Sequence, residues 1–263
     1  MTEPSETPRG DPLRPDLNLA PPRSAKEARR QARRARAAAT WDAELSSPGR
    51  RLRAWVSMLA ADHGVLRLVY LNLHRVGTRA FRAAQPTPGQ IARLARREGL
   101  RSVISLRGGV LFGSYPLERE ACARLGIDFR RAVLRSRDLP SREELLALIA
   151  LMREVETPVL FHCKSGADRA GFMAALWLIV MEGRPAAEAA GQLALRYGHL
   201  SRGPTGILDL FFAEAAAAEA RGVPFLRWAE SDYDREALRE RFRASGRGGG
   251  AAGFVTDRLL RRE

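Results

Sequence analysis

The chain has almost no lysine: of 44 basic residues only Lys26 and Lys164 are lysines, and 42 are arginines. Cysteine is as scarce. Cys122 and Cys163 are too few for a disulfide framework and read as free thiols of a reducing compartment. No stretch reaches the roughly 18 uninterrupted apolar residues of a membrane span, and Met1 to Ala20 lacks the apolar core of an export signal. These absences exclude a disulfide-stapled secreted fold and a helical membrane protein. The expectation is a cytoplasmic protein, soluble or held peripherally at the inner face of a membrane.

Acid is the other shortage. Thirty Asp and Glu against 44 Lys and Arg leave a net charge of +14. That excess reads as a plain basic surface or as one that meets a polyanion: anionic lipid, phosphorylated substrate or nucleic acid. Nucleic acid explains the charge but lacks the interleaved aromatics that stack bases. Against so much arginine, a lysine at 164, beside Cys163, reads as selected.

At 263 residues and 45% hydrophobic content, the chain fits one buried domain with tails. Residues 1–50 cluster prolines (Pro12, Pro15, Pro21, Pro22) ahead of a cationic run, Arg23 to Arg36, broken by Glu27 alone. They hold few large apolar residues and are expected to be a disordered basic tail, with a basic helix open to the part after Ser24 on an anionic surface. The domain spans 51–243. Residues 244–263 read as a Gly-rich linker and basic terminus. Leu52, Trp55, Val56 and Leu59, then Leu66, Val69, Tyr70 and Leu73, recur at helical spacing and predict two amphipathic helices broken near Gly64. They read as packed over the core, with a membrane-surface role as the alternative.

From Ala80 short apolar strands alternate with helices, over a core of 80–181 with helical flanks on either side. Phe81–Ala84, Val103–Leu106, 128–134 and Pro158–Phe161 read as strands. Thr87 caps one helix and Ser141 with Glu144 forms a capping box for another. An α/β fold follows, with a central, mostly parallel sheet flanked by helices on both faces and extra N- and C-terminal helices.

The informative stretch is His162-Cys163-Lys164-Ser165-Gly166-Ala167-Asp168-Arg169-Ala170-Gly171, between a buried strand and an apolar helix. A loop there, at the carboxyl edge of a sheet, aims backbone N–H groups and a helix dipole at one point, which suits a phosphate dianion. The same field favours a thiolate at Cys163. Arg169 supplies a forked donor for phosphate oxygens. Lys164, Ser165, Gly166, Ala167, Asp168 and Arg169 form the candidate phosphate-binding loop, with Cys163 as nucleophile and no cofactor or metal called for. A sulfurtransferase also sets a reactive cysteine in such a loop, but has no need of an arginine at this spacing. A non-catalytic phosphate- or lipid-binding module has no need of the cysteine.

His162 to Gly171 resembles the HCxxGxxR loop of the protein tyrosine and dual-specificity phosphatase superfamily, and Phe81–Pro86 with Val103–Arg107 is similar to the opening strands of its compact bacterial members. The resemblance covers about Ala80 to Met181. It implies a hydrolase acting on phosphomonoesters through a phosphocysteine intermediate, with His162 ordering the loop and an aspartate as general acid. Two positions are open for that acid: Asp138, 25 residues before the nucleophile, and Asp168 inside the loop. The chain departs from the pattern at Ala170, where many members carry a hydroxyl that helps the thiolate leave; Ser165 is the substitute, or the second step is slow. The substrate implied is a phosphotyrosine protein, the superfamily default. Lys164 resembles the loop lysine of phosphoinositide phosphatases and tilts the choice toward an anionic phospholipid.

Overall fold

The computed structural model describes residues 24–108 and 110–246. Helices α1 (Ala25–Trp41), α2 (Pro48–Val56) and α3 (Gly64–Val69) precede strands β1 (His74–Val76) and β2 (Ala80–Ala84). Then come α4 (Pro88–Glu98), β3 (Ser102–Ser105), α5 (Ser114–Arg124), β4 (Asp128–Arg131), α6 (Arg142–Glu154), β5 (Val159–Cys163) and α7 (Asp168–Glu182). The remainder is helical: α8 (Ala186–Ala189), α9 (Ile207–Ala220), α10 (Phe225–Arg227) and α11 (Arg235–Ala244), joined by short turns.

The sheet runs β1-β2-β5-β3-β4. All neighbours are parallel except β1, which pairs antiparallel with β2. Strand alternation divides the core into two layers. Val159 and Phe161 of β5 and Ile104 of β3 join the side chains of α6, α7 and α9 on one face. Leu160, Val103, Phe81 and Ala83 meet Ile91 and Leu94 of α4 and Cys122 of α5 on the other. The sheet is thus covered on both sides, and β5 sits centrally with its carboxyl end opening between the two layers.

Local chemistry sets the helix ends as the sequence indicates. Thr87 and Gln90 exchange capping-box hydrogen bonds at the start of α4, and Ser141 and Glu144 do the same for α6.

Three features differ from expectation. β1 is a three-residue edge strand, too short to show alternation. α3 stops at Val69, and Tyr70 to Leu73 leave the helix through Asn72 at φ 50°. Most of the basic run expected to lack a fold lies in α1, whose alanine and arginine favour helix and whose first turn is capped by the Ser24 hydroxyl. Trp41, at its end, anchors it on Ala54, Met58 and Leu117. Segments 1–23 and 247–263, read above as tails, lie outside the described residues. Among the described residues no helix is long and apolar enough to cross a membrane.

Candidate active site

The loop from Cys163 to Asp168 joins the central strand β5 to the start of α7. Its carbonyls are tied to the scaffold one after another. Gln85 N–H donates to Lys164 O (3.4 Å), and Asn72 Nδ2 donates to Ser165 O (3.0 Å). Arg82 Nη2 donates to both Gly166 O and Ala167 O (2.8 Å each). A trans peptide carries its N–H opposite its C=O. Four successive carbonyls drawn outward therefore turn the N–H groups of Ser165, Gly166, Ala167 and Asp168 toward the concave side. With the α7 N-terminus behind them, they form a nest for a tetrahedral dianion.

Two glycines make this packing possible. Gly166 has φ +76°, and a Cβ there would lie 2.6 Å from Ala84 N. A Cβ on Gly171 would come within 2.8 Å of Gln192 O and 3.0 Å of Arg82 Nη2. The loop and α7 sit directly against β2 and the 190s segment because neither position carries a side chain.

Cys163 is buried at the end of β5, and Arg169 is buried in the first turn of α7, its guanidinium bonded to Leu106 O (3.4 Å) at the end of β3. His162 points to the opposite face, where its Nε2 lies 2.8 Å from Glu118 Oε1 of α5. Glu118 Oε2 accepts from Gln85 Nε2, Gln85 Oε1 accepts from Arg107, and Arg107 forks onto the buried carboxylate of Asp62 (2.7 and 2.9 Å). Asp62 also pairs with Arg67 (2.8 Å) and lies 3.8 Å from Lys164 Nζ. Burial alone would raise the Asp62 carboxyl, but Arg107, Arg67 and Lys164 outweigh it and hold it below the ordinary range. Lys164, read above as a substrate contact, thus shares its charge with Asp62 and stacks over Phe112. Three cations, Arg67, Arg107 and Lys164, thus surround one carboxylate. A hollow beside it, with about 270 Å³ of space counted to its open mouth, is lined by Gln85, Arg107, Phe112, Tyr115 and Arg131.

The two candidate acids have different partners. Asp168 is buried, with Oδ1 2.8 Å from His199 Nδ1; the other ring nitrogen of His199 meets Asp209 Oδ2 at 2.7 Å. Burial opposes charge on His199, yet the two carboxylates overcome it and raise its pKa to about 9. At neutral pH Asp168 therefore faces an imidazolium. Asp138 is on the loop between β4 and α6, part-exposed, and is held by Arg239 of α11 (2.9 and 3.0 Å). The same loop is fixed by Tyr233 Oη donating to Pro140 O (2.6 Å), while Arg142, opening α6, donates to Tyr233 O (2.7 Å). Ala170 is fully buried and Ser165 is exposed on the loop.

The raised His199 pKa has a measurable consequence. Stabilisation from its charged form is complete below the unfolded-state value near 6.5 and is lost as pH rises through about 9. Melting of the wild-type chain should fall by roughly 3–10 °C between pH 6.5 and 9.5 relative to His199→Gln, read by calorimetry. Parallel curves for the two proteins would refute the clamp.

Sequence reading missed Arg82, Asp62, Glu118 and Asn72, and saw His199 only as part of a polar turn, 196–203, that could line the pocket mouth. Arg82 is fully buried within a strand, stacked on the Tyr197 ring (4.1 Å) and bonded to Gln192 as well as the loop. Burial lowers its pKa to about 10, with Cys163, Tyr197 and Asp168 among the charges that resist the fall. A signal for Asp62 was there: it is the one acid between Leu45 and Arg97. Cys122, the other thiol, is packed in the core beneath α4 and α5, and burial, reinforced by Glu118 and Asp128, pushes its pKa far up. Among the described residues no group of three or more His, Cys, Asp or Glu could hold a metal ion.

A strand-loop-helix with an inward amide nest, a cysteine at its entry and an arginine at its exit defines the class: the chain belongs to the dual-specificity (DSP-type) phosphatase superfamily. Residues 72–202 match the model of the family described as DSP-PTPase phosphatase fused to NAD+ kinase. The dual specificity protein phosphatase TpbA of Pseudomonas aeruginosa is 30% identical over 121 residues, 43% of this chain and 49% of that relative. The match thus spans about half the relative's length. The crystal structure of P. aeruginosa TpbA aligns with a TM-score of 0.43 at 23% identity, covering 61% of this chain and 91% of that one. The crystal structure of PTPMT1 aligns with a TM-score of 0.40 at 21% identity, covering 57% and 99%.

Proposed function

We propose that the protein hydrolyses phosphomonoesters through a phosphocysteine on Cys163. The observation that carries this is the outward tethering of four consecutive loop carbonyls. With Cys163 at one end of that loop and Arg169 just past the other, it supports an anion site built of amide, thiol and guanidinium groups. The thiolate attacks phosphorus in line, the P–O bond to the leaving group breaks, and the departing oxygen takes a proton from an acid. Water then attacks the phosphocysteine, the same group accepts its proton, and the thiolate leaves. Arg169 and the loop amides hold the three equatorial oxygens in both steps. With Ala170 in place of a hydroxyl beside Arg169, the second step is the slower, so phosphoenzyme accumulates. Acid quench within one turnover, followed by mass spectrometry, should place a phosphoryl group on Cys163; a chain that releases phosphate with Cys163 never labelled would sink the proposal.

Asp138 is the acid in this reading. Asp168 is committed to the His199 imidazolium inside the protein, whereas Asp138 stands on a loop at the same carboxyl edge of the sheet and reaches solvent. Asp138→Asn should cost about 10²–10³ in kcat/KM on alkyl phosphates and less than tenfold on nitrophenyl phosphate, whose leaving group hardly needs a proton. Transfer of that leaving-group sensitivity to Asp168→Asn would reverse the assignment.

The substrate is a phosphotyrosine protein or an anionic phospholipid. The gathering of Arg67, Arg107 and Lys164 around Asp62, beside the loop, favours one with a second anionic group. Rates on a panel of phosphopeptides against phosphoinositides separate the two. If the phospholipid reading holds, the protein works at the inner face of a membrane.

A further inference from the structure

Helix α3 is turned inside out. Its one charged residue, Arg67, is buried at 7% exposure, while Leu66 and Val69 stand 69% and 91% exposed. Val65, Leu68 and the following Tyr70 are exposed as well. The cause is Asp62: Arg67 donates to its carbonyl (2.7 Å) and to its carboxylate (2.8 Å), which draws the cation inward and rolls the apolar side chains out. Gln90 fixes this rotation by donating to Arg67 O (3.0 Å). On α2 just before it, Leu52 and Val56 are exposed in the same way at 66% and 56%. An apolar helix face held outward at the cost of a buried ion pair marks an interaction site rather than a scattering of surface leucines.

Charge selects the occupant. Between Leu45 and Arg97 the chain holds ten arginines and one acid, and that acid, Asp62, is buried among its partners. Arg50 and Arg53 of α2, and Arg93 of α4, the helix that Gln90 ties to α3, are exposed. A second copy of the same chain would bring an equally cationic surface and a net charge of +14 against it. An apolar ridge beside exposed arginines of α2 and α4 matches the interface of an anionic bilayer, where acyl chains receive leucine and valine and lipid phosphates meet guanidinium. We infer that α3 is a membrane-docking element that seats the protein on anionic phospholipid. The ridge continues into the catalytic loop: Tyr70 Oη donates to Asn72, and Asn72 donates to Ser165 O (3.0 Å) and Tyr197 O (2.9 Å). Docking there sets the bilayer beside the segment that Asn72 ties to the loop. The inference does not rest on hydrolysis, because binding is read by itself.

The experiment is sedimentation of the full chain with sucrose-loaded vesicles of phosphatidylglycerol and phosphatidylcholine at 1:3, against pure phosphatidylcholine. Wild type should pellet with the first and not the second, and should release as salt shortens the screening length. The double variant Leu66→Asp, Val69→Asp alters two exposed side chains and places acid at the surface. It should lose at least about tenfold in vesicle affinity while hydrolysing nitrophenyl phosphate within about twofold of wild type. Leu66→Ser, Val69→Ser should show a smaller loss in the same direction, separating lost apolar contact from added repulsion. Equal pelleting of wild type and the aspartate variant would overturn the assignment. So would failure of wild type to bind the anionic vesicles, whether the ridge then proves to join two copies by light scattering or to capture an acidic protein.

Discussion

Cys163→Ser abolishes turnover, by more than about 10³-fold, yet the variant still binds vanadate or tungstate within roughly tenfold of wild type. The first half follows because a serine hydroxyl at neutral pH is a far weaker nucleophile than a thiolate in an amide nest. The second follows from who builds the nest. Its amides are aimed by carbonyl contacts to Gln85, Asn72 and Arg82, and none of these involves the sulfur. Turnover and oxyanion titration are both needed. Loss of both would mean that the thiol organises the loop, and retention of turnover would move the nucleophile elsewhere. Cys122 supplies the internal control. Buried in the core with its thiol pushed far up, it should resist iodoacetate under conditions that alkylate Cys163 completely.

Arg82→Met comes next in size. The arginine is one residue, but it serves the carbonyls of Gly166, Ala167 and Gln192 and stacks on Tyr197. Methionine fills part of the volume and leaves Gly166 O and Gln192 O without their donor, at about 1–3 kcal/mol each, while Ala167 O keeps the Gly171 amide (3.0 Å). Part of that penalty is relieved by letting the loop carbonyls turn back, and the amides then turn with them. The expected result is a fall of about 10²–10³ in kcat/KM, with vanadate affinity falling in parallel, and a lower melting temperature. Arg82→Lys should recover only a minority of the rate, since an ammonium can neither fork across two adjacent carbonyls nor stack as a plane on tyrosine. The measurement that isolates positioning is vanadate affinity of the folded fraction. If it is unchanged while stability drops, Arg82 is a structural residue and nothing more.

The parts that were legible in the sequence are those whose information is local. β3 and β5 are β-branched or apolar runs ended by loop residues. α4 and α6 carry their own caps, and the nucleophile and arginine lie six positions apart on one loop. What escaped is held across long separations. Arg82 reaches the loop over 84 and 85 residues, Asn72 over 93, and His199 reaches Asp168 over 31. Periodicity also says that a helix has two faces without saying which one the core receives. In α3 the buried pairing of Arg67 with Asp62 decided it against the usual order of hydrophobicity. Among the two aspartates, spacing from Cys163 gave both as candidates. Their partners, an imidazolium for one and a surface arginine for the other, are the ground on which Asp138 is proposed.

The loop that carries Asp138 is held from the far end of the chain: Tyr233 grips Pro140, and Arg239 grips Asp138 itself. During synthesis, the loop bearing Cys163 and Arg169 leaves the ribosome some seventy residues before Arg239 does. A nascent chain in that interval presents Cys163 and Arg169 but none of the residues that seat the Asp138 loop. On the mechanism proposed above, competence toward esters with a poor leaving group then arrives last, when α11 docks, so that an incomplete chain is not a premature hydrolase.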